Sequence, residues 1–119
     1  MPRFPQVVSP IATLFTRDGI DVLLVSVEVW PDRVVVRLAA AGDRAEQLGS
    51  DLLAPLELAV EDDVGTTYTA RSSNAGGSGS EWHGDWFFAA AVPHSVTRLT
   101  VRVDAPYGEA APVDVELAG

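Results

Sequence analysis

Cysteine and lysine are both absent from this 119-residue chain, and the only methionine is Met1. Without cysteine there is no disulfide and no thiolate metal site, which removes the staples that small secreted domains use in place of a large core. The eight cationic side chains are all arginine, which beside abundant Ala, Gly, Val and Asp reads as the codon bias of a GC-rich genome. Cations are also scarce. Eight of them against 17 carboxylates leave a formal charge of -9, the wrong sign for a nucleic-acid binder, whose phosphate contacts call for clustered Arg and Lys. No apolar run approaches the ~20 residues of a membrane span, and Met1-Pro2-Arg3-Phe4-Pro5 leads into no signal-like stretch. The expectation is a soluble, cytoplasmic protein without membrane contact. Apolar residues, by contrast, make up 47% of the chain, the share of a folded protein rather than a disordered one. The length suits one domain over residues 1–119.

The dominant hydrophobic period is two, the spacing at which a strand sends alternate side chains to one face. Residues 20–30 are almost continuously apolar, Pro31-Asp32 has turn chemistry, and residues 33–40 alternate Val34, Val36 and Leu38 with Arg33, Val35 and Arg37. Together they predict a hairpin. Ala45, Leu48 and Leu52 have helical spacing and predict a short helical turn. Leu56, Leu58 and Val60 form the inner face of a strand, Asp62-Asp63-Val64-Gly65 a turn, and residues 66–70 a β-prone run around Tyr68. Asn74-Ala75-Gly76-Gly77-Ser78-Gly79-Ser80 reads as a loop, because glycine adds chain entropy and no packing. Residues 72–80 are therefore expected to be the most mobile internal segment. Strands follow at residues 82–92, 98–104 and 113–117, and an opening strand at 7–15 has Pro10 at a bulge or edge.

Seven or eight short strands separated by turns predict an all-β fold, a two-sheet antiparallel sandwich. The pattern resembles immunoglobulin-like and fibronectin-like sandwiches, although the cysteine pair is missing and Trp30 closes the second strand. Asp62-Asp63-Val64-Gly65-Thr66-Thr67-Tyr68, followed by Gly-Gly-Ser-Gly and Trp82-His83-Gly84-Asp85-Trp86-Phe87-Phe88, is similar to uncharacterised bacterial sandwich domains. That resemblance implies a fold and no activity. The expected core is Leu23, Val25, Val27, Val34, Val36, Leu38, Leu58, Val60, Tyr68, Trp86, Phe88, Leu99, Val101 and Val103, with Trp30 capping it.

Catalytic chemistry finds little support. His83 and His94 flank one predicted strand and would stand ~35 Å apart along it. Glu81, His83 and Asp85 share a face, but three such ligands without cysteine or a second histidine make a poor zinc set. Glu61, Asp62 and Asp63 read as a polar turn, since no EF-hand pattern surrounds them. The glycine loop lacks the Gly-Lys-Ser/Thr of a phosphate cradle, and no Gly-x-Ser-x-Gly elbow occurs. No enzyme, no metal and no cofactor are expected. Two binding readings are left. The first is a protein-interaction module with an unknown protein partner or its own copy. In an immunoglobulin-like order Arg33, Arg37, Arg98 and Arg102 would share one outer face, Glu28, Glu57 and Glu61 the opposite one, and Trp82 would be an anchor or a lid at the loop mouth. The alternative is a small-molecule carrier with an apolar pocket between the sheets near Trp82 and Trp86.

Overall fold

A computed structural model of the chain describes residues 6–17, 19–42, 56–78, 81–89, 91–105 and 110–117. These form nine strands: β1 (Gln6–Val8), β2 (Ala12–Arg17), β3 (Ile20–Val29), β4 (Arg33–Ala41), β5 (Glu57–Asp62), β6 (Thr69–Ser78), β7 (Glu81–Ala89), β8 (Arg98–Ala105) and β9 (Val113–Glu116). The larger sheet has the order β3-β4-β7-β6, with β1 and β2 both pairing to β3, and the smaller runs β5-β8-β9. Every pairing is antiparallel. The fold is the expected all-β two-sheet sandwich. The expected opening strand is split, because Ile11 turns to a positive φ of 46° just after Pro10. The expected helical turn at Ala45, Leu48 and Leu52 lies outside the described residues.

The β3–β4 hairpin is closed by Trp30 N–H donating to the Arg33 carbonyl at 2.9 Å, with Pro31-Asp32 between them. Within β3 the register shifts between Leu24 and Ser26. Ile20, Val22 and Leu24 point into the core before that bulge, and Val27 and Val29 after it. Alternation counted straight through the strand therefore assigns Leu23 and Val25 to the core wrongly; both are half-buried, and Val25 is the bulge residue itself. One extra residue on a bulged strand exchanges the two faces beyond it. The other twelve expected core residues are buried. At ~1.5–3 kcal/mol for each large apolar side chain, this cluster supplies the main drive for folding.

Two expectations about the chain's path fail. Residues 74–78 of the stretch expected as a loop belong to β6, which pairs with β7 from Thr69↔Ala89 to Ser78↔Glu81. Gly76 and Gly77 stand opposite His83 and Trp82, and such large cross-strand neighbours hold glycine in a strand that composition alone argues against. Residues 79–80 lie outside the described residues. Second, β8 pairs with β5 and β9 rather than joining β4 and β7. The crossing from one sheet to the other follows Pro93, whose carbonyl accepts from Val96 N–H at 3.1 Å.

Candidate functional site: an open sheet edge and its groove

The change of sheet at β8 separates the four arginines expected on one face. Arg33 and Arg37 stand on the outer face of the larger sheet, Arg98 and Arg102 on that of the smaller one. The expected acidic back dissolves in the same way. Glu28 lies beside Arg37, which it meets at 2.6 Å, and Glu61 is paired with Arg102. Arg102 also binds Asp104 at 2.9 Å. Each sheet thus carries its own mixture of signs.

On the larger sheet this mixture forms a cover. Arg37 reaches Asp85 across the strands at 2.8 Å and Glu28 diagonally, and Trp30 Nε1 donates to Glu28 at 3.0 Å. The Arg33 guanidinium lies 5.0 Å from the centre of the Trp30 ring. Val35, which faces outward between Glu28 and Phe87, is only 1% exposed beneath them. The Arg37 hydrogen bond holds the Glu28 carboxyl below the usual range, with Trp30 adding to it against the cost of burial. Trp30 is part of this outer cover and not of the core it was expected to cap.

The acidic turn is likewise engaged with the protein itself. Asp62 accepts from Val64 N–H, Thr66 N–H and the Tyr68 hydroxyl at 2.9, 3.0 and 2.8 Å. Partial burial opposes its ionisation, yet the bonds from Thr66, Tyr68 and Val64 bring its pKa down to about 2. Burial, then Asp62, push the Tyr68 phenol above its ordinary range. Asp63 accepts from the Thr97 hydroxyl at 2.6 Å and so ties the β5–β6 turn to the approach of β8. Among the described residues no three His, Asp or Glu side chains are grouped to hold a metal ion. His83 stands on the outer face of β7 opposite Ala39 and Gly76, while His94 sits in the turn after β7.

A docking position emerges from the sheet edges. Proteins blunt exposed edges with charges, proline, short strands or bulges. The β1/β2 edge is broken at Pro10 and Ile11, β5 carries Glu57, Glu61 and Asp62, and β9 has four residues, two of them acidic. β6 differs from all three. It is ten residues long, ends the larger sheet, and belongs to a stretch, residues 64–80, with no carboxylate at all. Its one charge is Arg71, the extra residue of a bulge between Ala70 and Ser72. In an antiparallel ladder alternate residues turn both N–H and C=O away from the neighbour, so about five residues of β6 offer backbone groups that no other described strand pairs with.

Beside this edge the sandwich is open. A groove of about 400 Å³ runs between the rims of the two sheets, lined by Leu56 and Leu58 on one side, Ala70 to Ser73 on the other, and Trp86. Glu57 and Asp104 border it on the side of the smaller sheet. Trp86 Nε1 donates to the Leu56 carbonyl at 3.2 Å and so fixes one sheet against the other at this point. Its ring rests against Gly84, where a Cβ would come within 2.5 Å of Cζ3. Trp82 lies further along β7, half-buried and packed on the margin of the core; its Nε1 has no acceptor among the described residues. The groove therefore meets Trp86 but not Trp82, and it is an open channel rather than an enclosed apolar pocket. The sequence signals for this site were the absence of acids over residues 64–80 and the small side chains of the glycine stretch, which composition presents as a loop.

No protein-family model matches the chain, and no curated protein does. Among solved structures it is similar to one described as the crystal structure of the conserved domain protein from Bacillus anthracis, with a TM-score of 0.59 at 15% identity. The match covers 96% of this chain and 49% of that one, so the chain spans about half the length of its structural neighbour. A likeness at that identity shows the fold alone. No helix among the described residues is long and apolar enough to cross a membrane.

Proposed function

We propose that this chain is a non-catalytic protein-interaction module that takes up an extended segment of a partner by strand addition along β6. One observation carries the reading: of the four sheet edges among the described residues, β6 is the long one without carboxylates, and it runs beside a groove that an indole helps to line. In strand addition the backbone ladder supplies affinity, and pockets for alternate side chains supply specificity. An added strand would face this groove with every second side chain. The open groove at Trp86 also suits the second reading, a carrier of a small apolar molecule, since about 400 Å³ is within the size range of small-ligand sites.

The test uses proline. Consecutive residues of β6 send their N–H groups to opposite sides, so of Ser73→Pro and Asn74→Pro one removes a bond to β7 and the other only a free edge donor. The variant that keeps the wild-type melting temperature is the edge-blocking one. Random heptapeptides selected on the wild-type protein should lose binding to it. Equal binding to both proteins, or no enrichment at all, refutes strand addition, whereas tight binding of a small apolar dye quenching Trp86 in both favours the carrier.

A further inference from the structure

From the chemistry along the open edge we infer that the segment taken up by β6 alternates apolar with acidic side chains. This inference rests on reading β6 as the docking edge. The apolar half follows from the groove, where Leu56, Leu58 and Trp86 present carbon surface to whatever stands beside Ser73. The acidic half follows from Arg71. It is the one charge of β6, it is exposed on the bulge residue beside Ser72, whose partner Phe87 marks the face turned away from the groove, and no ion pair joins it to another described residue. Bulges re-aim side chains at sheet edges, and an arginine so placed presents a planar fork of donors that a carboxylate fits.

The acids near the groove do not oppose this. Glu57 and Asp104 belong to the far rim, on the smaller sheet, and Asp104 is already bound by Arg102. A strand added to β6 lies on the near rim, within reach of Arg71. The chain as a whole, at -9, repels acidic segments, so the stretch over residues 64–80 is where such a segment meets a cation and no carboxylate. From Ser72 to Ser78 the register with β7 is unbroken, which gives seven residues of regular edge next to Arg71 and suits a segment of about that length.

The experiment titrates the full-length protein with two capped heptapeptides, one alternating valine with aspartate and one alternating valine with lysine. Amide exchange of β6 and calorimetry are followed at low and physiological salt. The aspartate peptide should protect β6 amides and bind about three- to fivefold more tightly than the lysine peptide, the scale of a partly exposed ion pair. Arg71→Glu, an exposed change that leaves the core untouched, should invert that ranking. Equal binding of both peptides, or an unchanged ranking in Arg71→Glu, overturns the acidic partner while leaving strand addition standing. Absence of β6 protection by either peptide overturns both. Light scattering that shows a dimer abolished by the edge-blocking proline, with no peptide able to compete, assigns the edge to a second copy and refutes the inference.

Discussion

Replacing Gly84 by alanine should unseat Trp86 and with it the register of the two sheets at the groove. The added Cβ would lie 2.5 Å from Cζ3 and 2.6 Å from Cη2 of the indole, and 3.4 Å from the Asn74 carbonyl. Ordinary carbon contact is near 3.7 Å, so the ring must retreat by roughly 1 Å. It has little room to do so. Trp86 is 5% exposed, and its Nε1 is committed to the Leu56 carbonyl at 3.2 Å. Overpacking of a filled site costs about 1–3 kcal/mol, and loss of the buried hydrogen bond adds about 1 kcal/mol. For a chain of this size the sum lowers the melting temperature by on the order of 10 °C. The assay is thermal unfolding followed by circular dichroism, with Gly76→Ala as the control, because a Cβ there meets nothing within 4 Å. In a Trp86→Phe background the cost of Gly84→Ala should shrink, since the smaller ring leaves the seat partly empty. Equal melting of wild type and Gly84→Ala, or full additivity in the double variant, would refute the stacking of this indole on Gly84.

Three further outcomes are expected. Gly42 has a φ of 147° and room for no side chain, because its Cβ would stand 2.6 Å from the Gly19 carbonyl oxygen; Gly42→Ala should cost about 2 kcal/mol or more in a urea melt, as backbone cannot swing aside. Asp62 ionises near pH 2 in the folded chain, below its ordinary 3.8, so the unfolded chain takes up the proton first and stability falls as pH drops from about 4 toward 2; acid titration of Asp62→Asn should show a flatter decline, and an identical decline would remove Asp62 from the account. Truncating Arg37 to alanine strips the cover from Val35 and leaves Glu28 beside Asp85 as like charges, a loss of about 1 kcal/mol that salt should reduce; no change in stability would mean that Phe87 and Trp30 shield Val35 unaided.

Period-two patterning made β5, β8 and β9 legible, because each buries one face and keeps strict alternation, whereas β4 shows as a strand through its apolar run although Val35 and Ala39 on its outer face are buried too. What it missed has physical causes. The bulge at Val25 changes which face is inside without altering composition, so alternation read through it misplaces Leu23. β6 is a strand by virtue of β7 alongside it, a long-range cause that a glycine-rich segment does not announce. Sheet membership is harder still: Leu99, Val101 and Val103 face inward from whichever sheet β8 joins, so parity could not separate Arg98 and Arg102 from Arg33 and Arg37. The candidate edge was half legible. Its want of carboxylates is plain in the chain, whereas the groove exists only once β5 and β6 end up on facing rims.

The pairing of β5 with β8 has a consequence for how the chain assembles as it is made. Glu57 meets Ala105 and Asp62 meets Leu99, so among the described strands β5 finds its partner only when almost the whole chain is present. The β2–β3, β3–β4 and β6–β7 ladders all close over short loops in the meantime. Closure of long loops is slow relative to hairpins, which makes the smaller sheet the late step of folding. During that interval Leu56, Leu58 and Val60 wait without the β8 strand beside which they pack in the finished sheet. Glu57, Glu61 and Asp62 flank them, and charges in those positions keep a waiting strand from joining its like in another nascent chain. The same carboxylates that blunt a finished edge thus also guard an unfinished one.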